Sequence, residues 1–114
     1  MQDQTNTALV QPLADLAAYQ PGAIVSRMLL KKPGGTVTLF AFGRGESLSE
    51  HTTPHDALIY VLDGEAAIDL DGETHRVAAG ETIMLPAHVP HAVDAPDDFK
   101  MLLIMLKSNA PVQR

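Results

Sequence analysis

The sequence predicts an all-β domain, built as a sandwich or barrel of antiparallel strands. Short runs of strand composition recur along the chain, and glycine, proline and Asp-Gly turn signals separate them roughly every 8–12 residues. No segment shows the sustained apolar spacing of a long helix. The chain has 114 residues, 46% of them apolar and 19% charged, so we expect one folded domain with a single core.

An N-terminal arm precedes the strands. We assign residues 1–20 to this arm, 21–107 to the barrel and 108–114 to a polar C-terminal tail. Apolar residues within the arm come close to helical spacing, but Pro12 interrupts them. The sequence leaves two alternatives open: a single helical turn around Leu13–Ala17, or an extended arm.

Eight strands follow the arm in order. Leu58–Leu62 carries apolar side chains on both faces, so we expect it to be buried on both. Asp71-Gly72 is typical of the two-residue turn in a tight hairpin. Four methionines, at 28, 84, 101 and 105, are expected to fill gaps in the core. The predicted strands are Ile24–Leu30, Thr36–Phe42, Leu58–Leu62, Ala66–Leu70, Thr74–Val77, Thr82–Leu85, His91–Asp94 and Phe99–Leu106.

Composition and charge exclude several function classes. The net charge of −6 argues against nucleic acid and against an anionic membrane surface as partners. The absence of cysteine excludes disulfides, thiolate metal sites and cysteine nucleophiles, and it fits a reducing compartment. The first residues have neither a basic start nor a long apolar run, so we expect no signal peptide and a cytoplasmic protein.

Four of the five histidines lie in two stretches that each begin with a glycine, residues 45–64 and 80–91. Neutral imidazole is the commonest metal ligand in proteins, so this clustering indicates a candidate site. Spacing alone allows the alternative that these are half-exposed polar residues at strand ends, since no zinc-finger or His-Glu-x-x-His pattern is present. His75, on a polar hairpin strand, is expected to face solvent.

The first stretch resembles the first motif of the cupin superfamily. Gly45 is followed after five residues by His51-Thr52-Thr53, then by Ala57 and, after six more residues, by Gly64. The family pattern has Gly, five residues, His-x-His, three or four residues, Glu, six residues and Gly. Thr53 therefore stands at the second histidine position, and Ala57 at the glutamate position.

The second stretch resembles the second cupin motif, which reads Gly, five residues, Pro-x-Gly, two residues, His, three residues and Asn. Here Gly80 leads after five residues to Pro86, His88 stands at the glycine position, and His91 keeps the histidine position. Ala95 replaces the asparagine. A residue at position 88 is expected to adopt a positive φ, which histidine tolerates better than most residues.

The resemblance covers about residues 36–106 and implies a jelly-roll barrel of two antiparallel sheets. It also implies one divalent transition metal (Zn, Ni, Fe or Mn), but only His51 and His91 carry over from the four family ligands. Four residues of extended strand span about 13 Å, so His55 joins His51 only if the chain bends between them. We therefore expect a weakly held ion on His51 and His91, with His55 or His88 as third ligand. The alternative is a metal-free pocket.

Two functions compete on this basis. One is a small barrel that binds a small polar molecule in its central pocket, lined by Thr53, Ala57 and His88. The other is a metal-dependent dioxygenase or isomerase that acts on a small organic substrate. The resemblance also implies a homodimer formed by sheet packing. The apolar side chains of Leu29-Leu30, Phe40, Phe42 and Met101–Leu106 exceed what one small interior easily hides, which favours the same assembly.

Overall fold

The structure is a computed structural model that describes residues 10–107, so the expectations for residues 1–9 and for the tail at 108–114 lie outside the described residues. Two antiparallel sheets make up the domain, as the jelly-roll prediction requires. The nine strands are β1 (Ile24–Lys32), β2 (Gly35–Phe42), β3 (Ser47–His51), β4 (Asp56–Asp63), β5 (Glu65–Leu70), β6 (Glu73–Ala78), β7 (Thr82–Leu85), β8 (His91–Asp94) and β9 (Phe99–Leu106).

The strand order shows how the chain crosses between the two sheets. The first sheet has the order β1-β2-β9-β4-β7, and the second has the order β3-β8-β5-β6. Successive strands β2 and β3, β3 and β4, and β7 and β8 lie in different sheets. This alternation makes the two sheets the walls of one jelly roll, with the core between them.

The tight hairpin between β5 and β6 is confirmed. Asp71 and Gly72 both have positive φ values, 52° and 84°, and Leu70 pairs with Glu73 across the turn. A two-residue turn with both central residues in the left-handed region matches the twist of the strands it joins. This local signal was readable from the sequence because Asp and Gly tolerate that backbone.

The core fills the space between the inner faces of both sheets. Phe42 and Phe99 stack there with ring centroids 4.6 Å apart, and both are fully buried. Alternate residues of β4 point inward, so Ala57, Ile59 and Val61 are buried while Tyr60 is 36% exposed. The prediction that β4 is buried on both faces was therefore wrong: its outer face is only partly covered.

The arm covers part of that outer face. It forms a 3₁₀ helix over Leu13–Leu16, so the alternative with a helical turn is confirmed. The arm packs on Leu39 and Ala41 of β2 through a small cluster that includes Ala17. The Lys100 amine on β9 donates to the Ala14 carbonyl oxygen at 2.6 Å.

Tyr19 closes the arm against the barrel. Its hydroxyl donates to the Asp63 carboxylate, and its ring lies under the Lys100 amine, 4.8 Å from the ring centroid. Burial, followed by this hydrogen bond and the charge of Asp63, raises the pKa of Tyr19 well above its ordinary value of 10.0. The described part of the arm is thus held by apolar packing and by polar contacts at Ala14 and Tyr19.

Three other expectations differ from the structure. Strand β3 was not predicted, because Ser47–His51 has only one apolar residue and shows no alternation. Phe42 is fully buried and Phe40 packs against the inner core, so neither contributes to an outer surface. Met28 and Met84 are 52% and 56% exposed, unlike the buried Met101, so they do not fill the core. In the described part of the chain, no helix is long and apolar enough to span a membrane.

Candidate functional site

Two histidines meet at one end of the second sheet. His51 is the last residue of β3, His91 is the first residue of β8, and the two are direct partners in the antiparallel ladder. Their ring centroids are 4.4 Å apart with the planes inclined at 67°. The ladder is irregular between Leu48 and His51, and such a bulge re-aims the side chains that follow it. We call His51 and His91 the imidazole pair.

Both rings of the imidazole pair are held in the same way. His51 Nδ1 lies 2.8 Å from the carbonyl oxygen of Ser49, and His91 Nδ1 lies 3.0 Å from that of Val89. A carbonyl oxygen only accepts, so Nδ1 carries the proton and donates in each neutral ring. The Nε2 atom of each ring therefore keeps its lone pair, which is the arrangement that a metal ion or a ligand hydroxyl needs.

The imidazole pair reaches from the interior to the rim. His91 is 7% exposed, whereas His51 is exposed. His91 also pairs with Leu70 of β5, whose side chain packs against the core. A ligand that contacts both rings would thus lie at the open end of the sandwich, with His91 toward the core.

The other two family ligand positions supply no donor to this pair. The Thr53 hydroxyl donates to the carbonyl oxygen of His55 at 3.0 Å and accepts from the His55 amide at 3.3 Å, so it is engaged within its own connection. Ala57 begins the inner face of β4 and is 7% exposed. Thr53 and Ala57 were expected to line the pocket. They offer a hydroxyl group that is already hydrogen-bonded and a methyl group.

His55 and His88 are placed differently from the imidazole pair. The Nδ1 atom of His55 is buried without a hydrogen-bond partner, an arrangement that costs free energy unless a ligand satisfies it. His88 is exposed, and its φ of 68° confirms the positive φ expected at this position. Among residues 10–107, no group of three or more His, Cys, Asp or Glu side chains is placed to hold a metal ion.

Two hydrogen bonds link the connections on either side of the imidazole pair. The connection from β3 to β4 and the connection from β7 to β8 are joined by the His88 amide, which donates to the Thr53 carbonyl oxygen at 2.7 Å. The Ala87 amide donates to the Asp56 carboxylate at 2.8 Å. Asp56 is the first residue of β4 and lies on its outer face, opposite Leu106, so it ties β4 to the connection between β7 and β8. The two contacts thus join the connection that leaves His51 to the connection that leads to His91.

The first sheet offers an apolar surface at this end. In the ladder, Ala57 pairs with Leu85 on one side and with Met105 on the other. One row deeper, Ile59 pairs with Ile83 and Leu103, and all three belong to the core or pack against it. We call these residues the apolar wall: Ala57, Leu85, Met105, Ile59, Ile83 and Leu103.

Sequence reasoning missed the role of this wall. Strand β9 is apolar at nearly every position, so alternation cannot show that Leu103 and Met105 face inward while Leu102 and Ile104 do not.

His75, which was expected to face solvent, is only partly exposed. It pairs with the buried Ile68, yet its side chain is 40% exposed where it approaches Glu73 at 3.7 Å. It lies on the open edge strand, away from the imidazole pair.

Comparisons with known proteins agree with the fold. The model of the cupin domain family matches residues 38–107. A conserved protein of unknown function from Streptococcus pyogenes is 36% identical, covers 92% of each chain and superposes with a TM-score of 0.87. A cupin 2 conserved barrel domain protein from Leptotrichia buccalis is 48% identical over 83% of this chain and 46% of its own, with a TM-score of 0.81.

A curated relative matches over a shorter length. The polyketide synthase CurC of Streptomyces cyaneus is 40% identical over 48 residues, which is 41% of this chain and 31% of that protein. The match thus spans less than a third of that relative. The family model, by contrast, spans the two motifs and most of the strands. On that match, and with the two-sheet fold, the chain belongs to the cupin domain family.

Proposed function

We propose that this chain binds a small organic molecule at the imidazole pair and holds a divalent transition metal there at most weakly. The observation that carries the proposal is the shared hydrogen bonding of His51 and His91. Each Nδ1 is engaged by a carbonyl oxygen, so each Nε2 is free to accept. Two such acceptors, on rings whose centroids are 4.4 Å apart, can hold one ion, or either of them can accept from a hydroxyl or amide group of a ligand.

The donor set fits a weakly held ion better than a resident one. The pair supplies two neutral imidazoles, whereas open catalytic zinc sites use three protein ligands. His55 remains the predicted third donor, supported by its unpartnered Nδ1, but it joins the pair only if the connection at 52–55 moves. Zinc or nickel should bind more tightly than iron or manganese at such nitrogen donors. An ion bound there would polarise an oxygen of the ligand.

Metal titration with matched variants tests this proposal. We expect zinc and nickel to bind the wild type with an affinity low enough for dialysis to remove them. Binding should be lost in His51→Ala and in His91→Ala and retained in His75→Ala. Unchanged binding in both pair variants would exclude this site. A wild type that binds neither metal nor any small molecule at the pair would refute the proposed function.

The alternative is a metal-dependent dioxygenase or isomerase. Such an enzyme requires an ion that stays bound while open coordination positions accept substrate. Elemental analysis of the purified protein separates the two functions. Near one ion per chain in the wild type, lost in both His51→Ala and His91→Ala, would favour the enzyme. In that case His55→Ala and His88→Ala would identify the third ligand.

Location in the cytoplasm remains a prediction from the composition.

We also propose that the protein is a homodimer, formed through the outer face of the first sheet. The arm covers part of this face, and four large apolar side chains stand exposed on the rest of it: Leu30 (53%), Tyr60 (36%), Met84 (56%) and Leu106 (61%). Ile104 lies between two shallow grooves of about 210 and 200 Å³ on the same surface. We call this surface the outer patch. A second copy supplies the flat apolar partner that such a patch needs.

Sedimentation analysis tests the dimer. At micromolar concentration, the molar mass of the wild type from sedimentation should be twice the 12.2 kDa of one chain. Met84→Lys places a charge in the outer patch and should shift the protein to the monomer. Met28→Lys is the matched control, because Met28 is 52% exposed but faces the other side of the sheet. A monomeric wild type would contradict the proposal.

A further inference from the structure

We infer that the molecule bound at the imidazole pair is mainly apolar and carries a single hydroxyl group, or an equivalent donor, at one end. This inference rests on the proposed function and replaces the small polar molecule expected from the sequence with a mainly apolar ligand class. The polar end of the site is the imidazole pair, where His51 and His91 offer two hydrogen-bond acceptors and no donor in their neutral form. A ligand that hydrogen-bonds to either ring must therefore bring the proton.

The rest of the site offers few polar groups. The apolar wall supplies methyl, isobutyl and thioether groups from Ala57, Leu85 and Met105, with a second row of aliphatic side chains behind them. On the second sheet, His91 pairs with Leu70, so Leu70 is the next side chain across the strands from the imidazole pair. Ala57, Leu85 and Ile59 are buried, whereas Met105, Leu103 and Ile83 are only partly buried, as is Leu70 on the second sheet. A ligand that extends from the pair toward the core would therefore meet the partly buried aliphatic side chains of both sheets.

The polar residues of these rows lie toward the edges or are already engaged. Thr36 pairs with Met105, and the row ends at Lys31 on the edge strand β1, which is exposed. The other row ends at Glu73, whose side chain is 81% exposed. One row deeper, the Thr38 hydroxyl donates to the Met28 sulfur at 3.4 Å. Neither Lys31 nor Glu73 is a direct ladder neighbour of the imidazole pair.

This distribution separates an apolar alcohol or phenol from a sugar. A ligand with many hydroxyl groups would bury several of them against the apolar wall with no partner, which weakens binding. Each methylene group of an apolar ligand removed from water should instead tighten binding by about fourfold. The imidazole pair then fixes the orientation, because it supplies the hydrogen-bond acceptors at one end of the ligand while the apolar wall contacts the rest.

A homologous series of probes tests the inference. Phenol, 4-methylphenol and 4-ethylphenol are titrated into the ¹⁵N-labelled wild type, with glucose as the polyhydroxyl probe and 4-ethylanisole as the probe without a hydroxyl proton. We expect affinity to rise about threefold to fourfold per added carbon. We expect 4-ethylanisole to bind about tenfold more weakly than 4-ethylphenol, and glucose not to shift the histidine resonances.

A matched pair of variants locates the apolar contact. Met105→Gln changes the apolar wall, and Met84→Gln makes the same substitution on the opposite face of the first sheet. We expect Met105→Gln to weaken 4-ethylphenol about fivefold, since it removes apolar contact and adds an unpartnered amide. Met84→Gln should bind like the wild type. If Met105→Gln fails to fold, the wild-type series decides the question.

Failure of the inference is distinguishable from failure of the proposed function. Glucose that shifts the imidazole resonances at lower concentration than the phenols would overturn the apolar ligand class and leave the site itself intact. The same holds if zinc binds at the pair while affinity does not change along the phenol series. If no probe and no metal shifts His51 or His91, both the inference and the proposed function are wrong.

Discussion

Alanine at Gly64 should destabilise the fold far more than alanine at Gly72, although both glycines have a positive φ (74° and 84°). At Gly72 an added Cβ would meet no atom within 4 Å. At Gly64 it would lie against the carbonyl oxygen of Asp98 and 2.9 Å from both Cα and Cβ of Phe99. Phe99 is fully buried and stacks on Phe42, so it has little freedom to move aside.

The magnitude follows from two contributions. An L-residue in the left-handed region costs about 1–2 kcal/mol, and this applies to both alanine variants. The clash applies only to Gly64 and corresponds to overpacking, which costs about 1–3 kcal/mol. The loss of unfolded-state entropy on replacing glycine is common to both variants and cancels in the comparison. We therefore expect Gly64→Ala to be less stable than Gly72→Ala by about 2 kcal/mol.

Urea denaturation followed by circular dichroism measures this difference. For a domain of about 100 residues, 2 kcal/mol corresponds to a Tm difference of roughly 8–16 °C. If the two variants unfold at the same urea concentration, the close packing of Gly64 on Phe99 is wrong. A Gly64→Ala variant as stable as the wild type would refute the left-handed backbone there as well.

Two further predictions concern a pH dependence and a gain of function. Because the pKa of Tyr19 is raised in the folded protein, the folded state keeps a proton that the unfolded chain loses above pH 10; the free energy of unfolding should therefore fall as the pH rises past that value. Urea denaturation between pH 8 and pH 11 should show this fall in Tyr60→Phe but less of it in Tyr19→Phe, and equal falls would contradict it. Ala57→Glu should tighten zinc binding by about tenfold, or roughly 1.4 kcal/mol, because it adds a carboxylate at the family's glutamate position on the inner face of β4. Leu58→Glu, one residue along β4 and on the opposite face, is the control and should leave zinc affinity unchanged. Zinc affinity of both variants is measured by calorimetric titration.

The features that could be predicted from the sequence are those in which the residue type itself determines the backbone conformation. The Asp71-Gly72 turn and the positive φ at His88 follow from residues that tolerate the left-handed region, so both were predictable and both are confirmed. Strand β3 was not predictable, since four of the five residues in Ser47–His51 are polar. It forms because its backbone pairs with β8, an interaction that residue composition does not report.

The candidate site was predictable in its members but not in its geometry. Motif spacing indicated His51 and His91, and the ladder places them side by side. The state of their rings depends on two carbonyl oxygens, at Ser49 and Val89, whose positions follow from the local course of the backbone. The apolar wall was hidden for another reason. In a strand apolar on both faces, such as β9, the sequence does not distinguish inward from outward residues.

The protonation of the histidine rings can be measured by long-range ¹H–¹⁵N NMR. We expect neutral His51 and His91 to carry their proton on Nδ1, and substoichiometric zinc or nickel to perturb Nε2 of these two rings first. His75 serves as the internal control, since its ring lies on the open edge strand beside Glu73. Proton occupancy on Nε2 of His51 and His91, or metal shifts at His75 equal to theirs, would show that the imidazole pair is not the metal and ligand site.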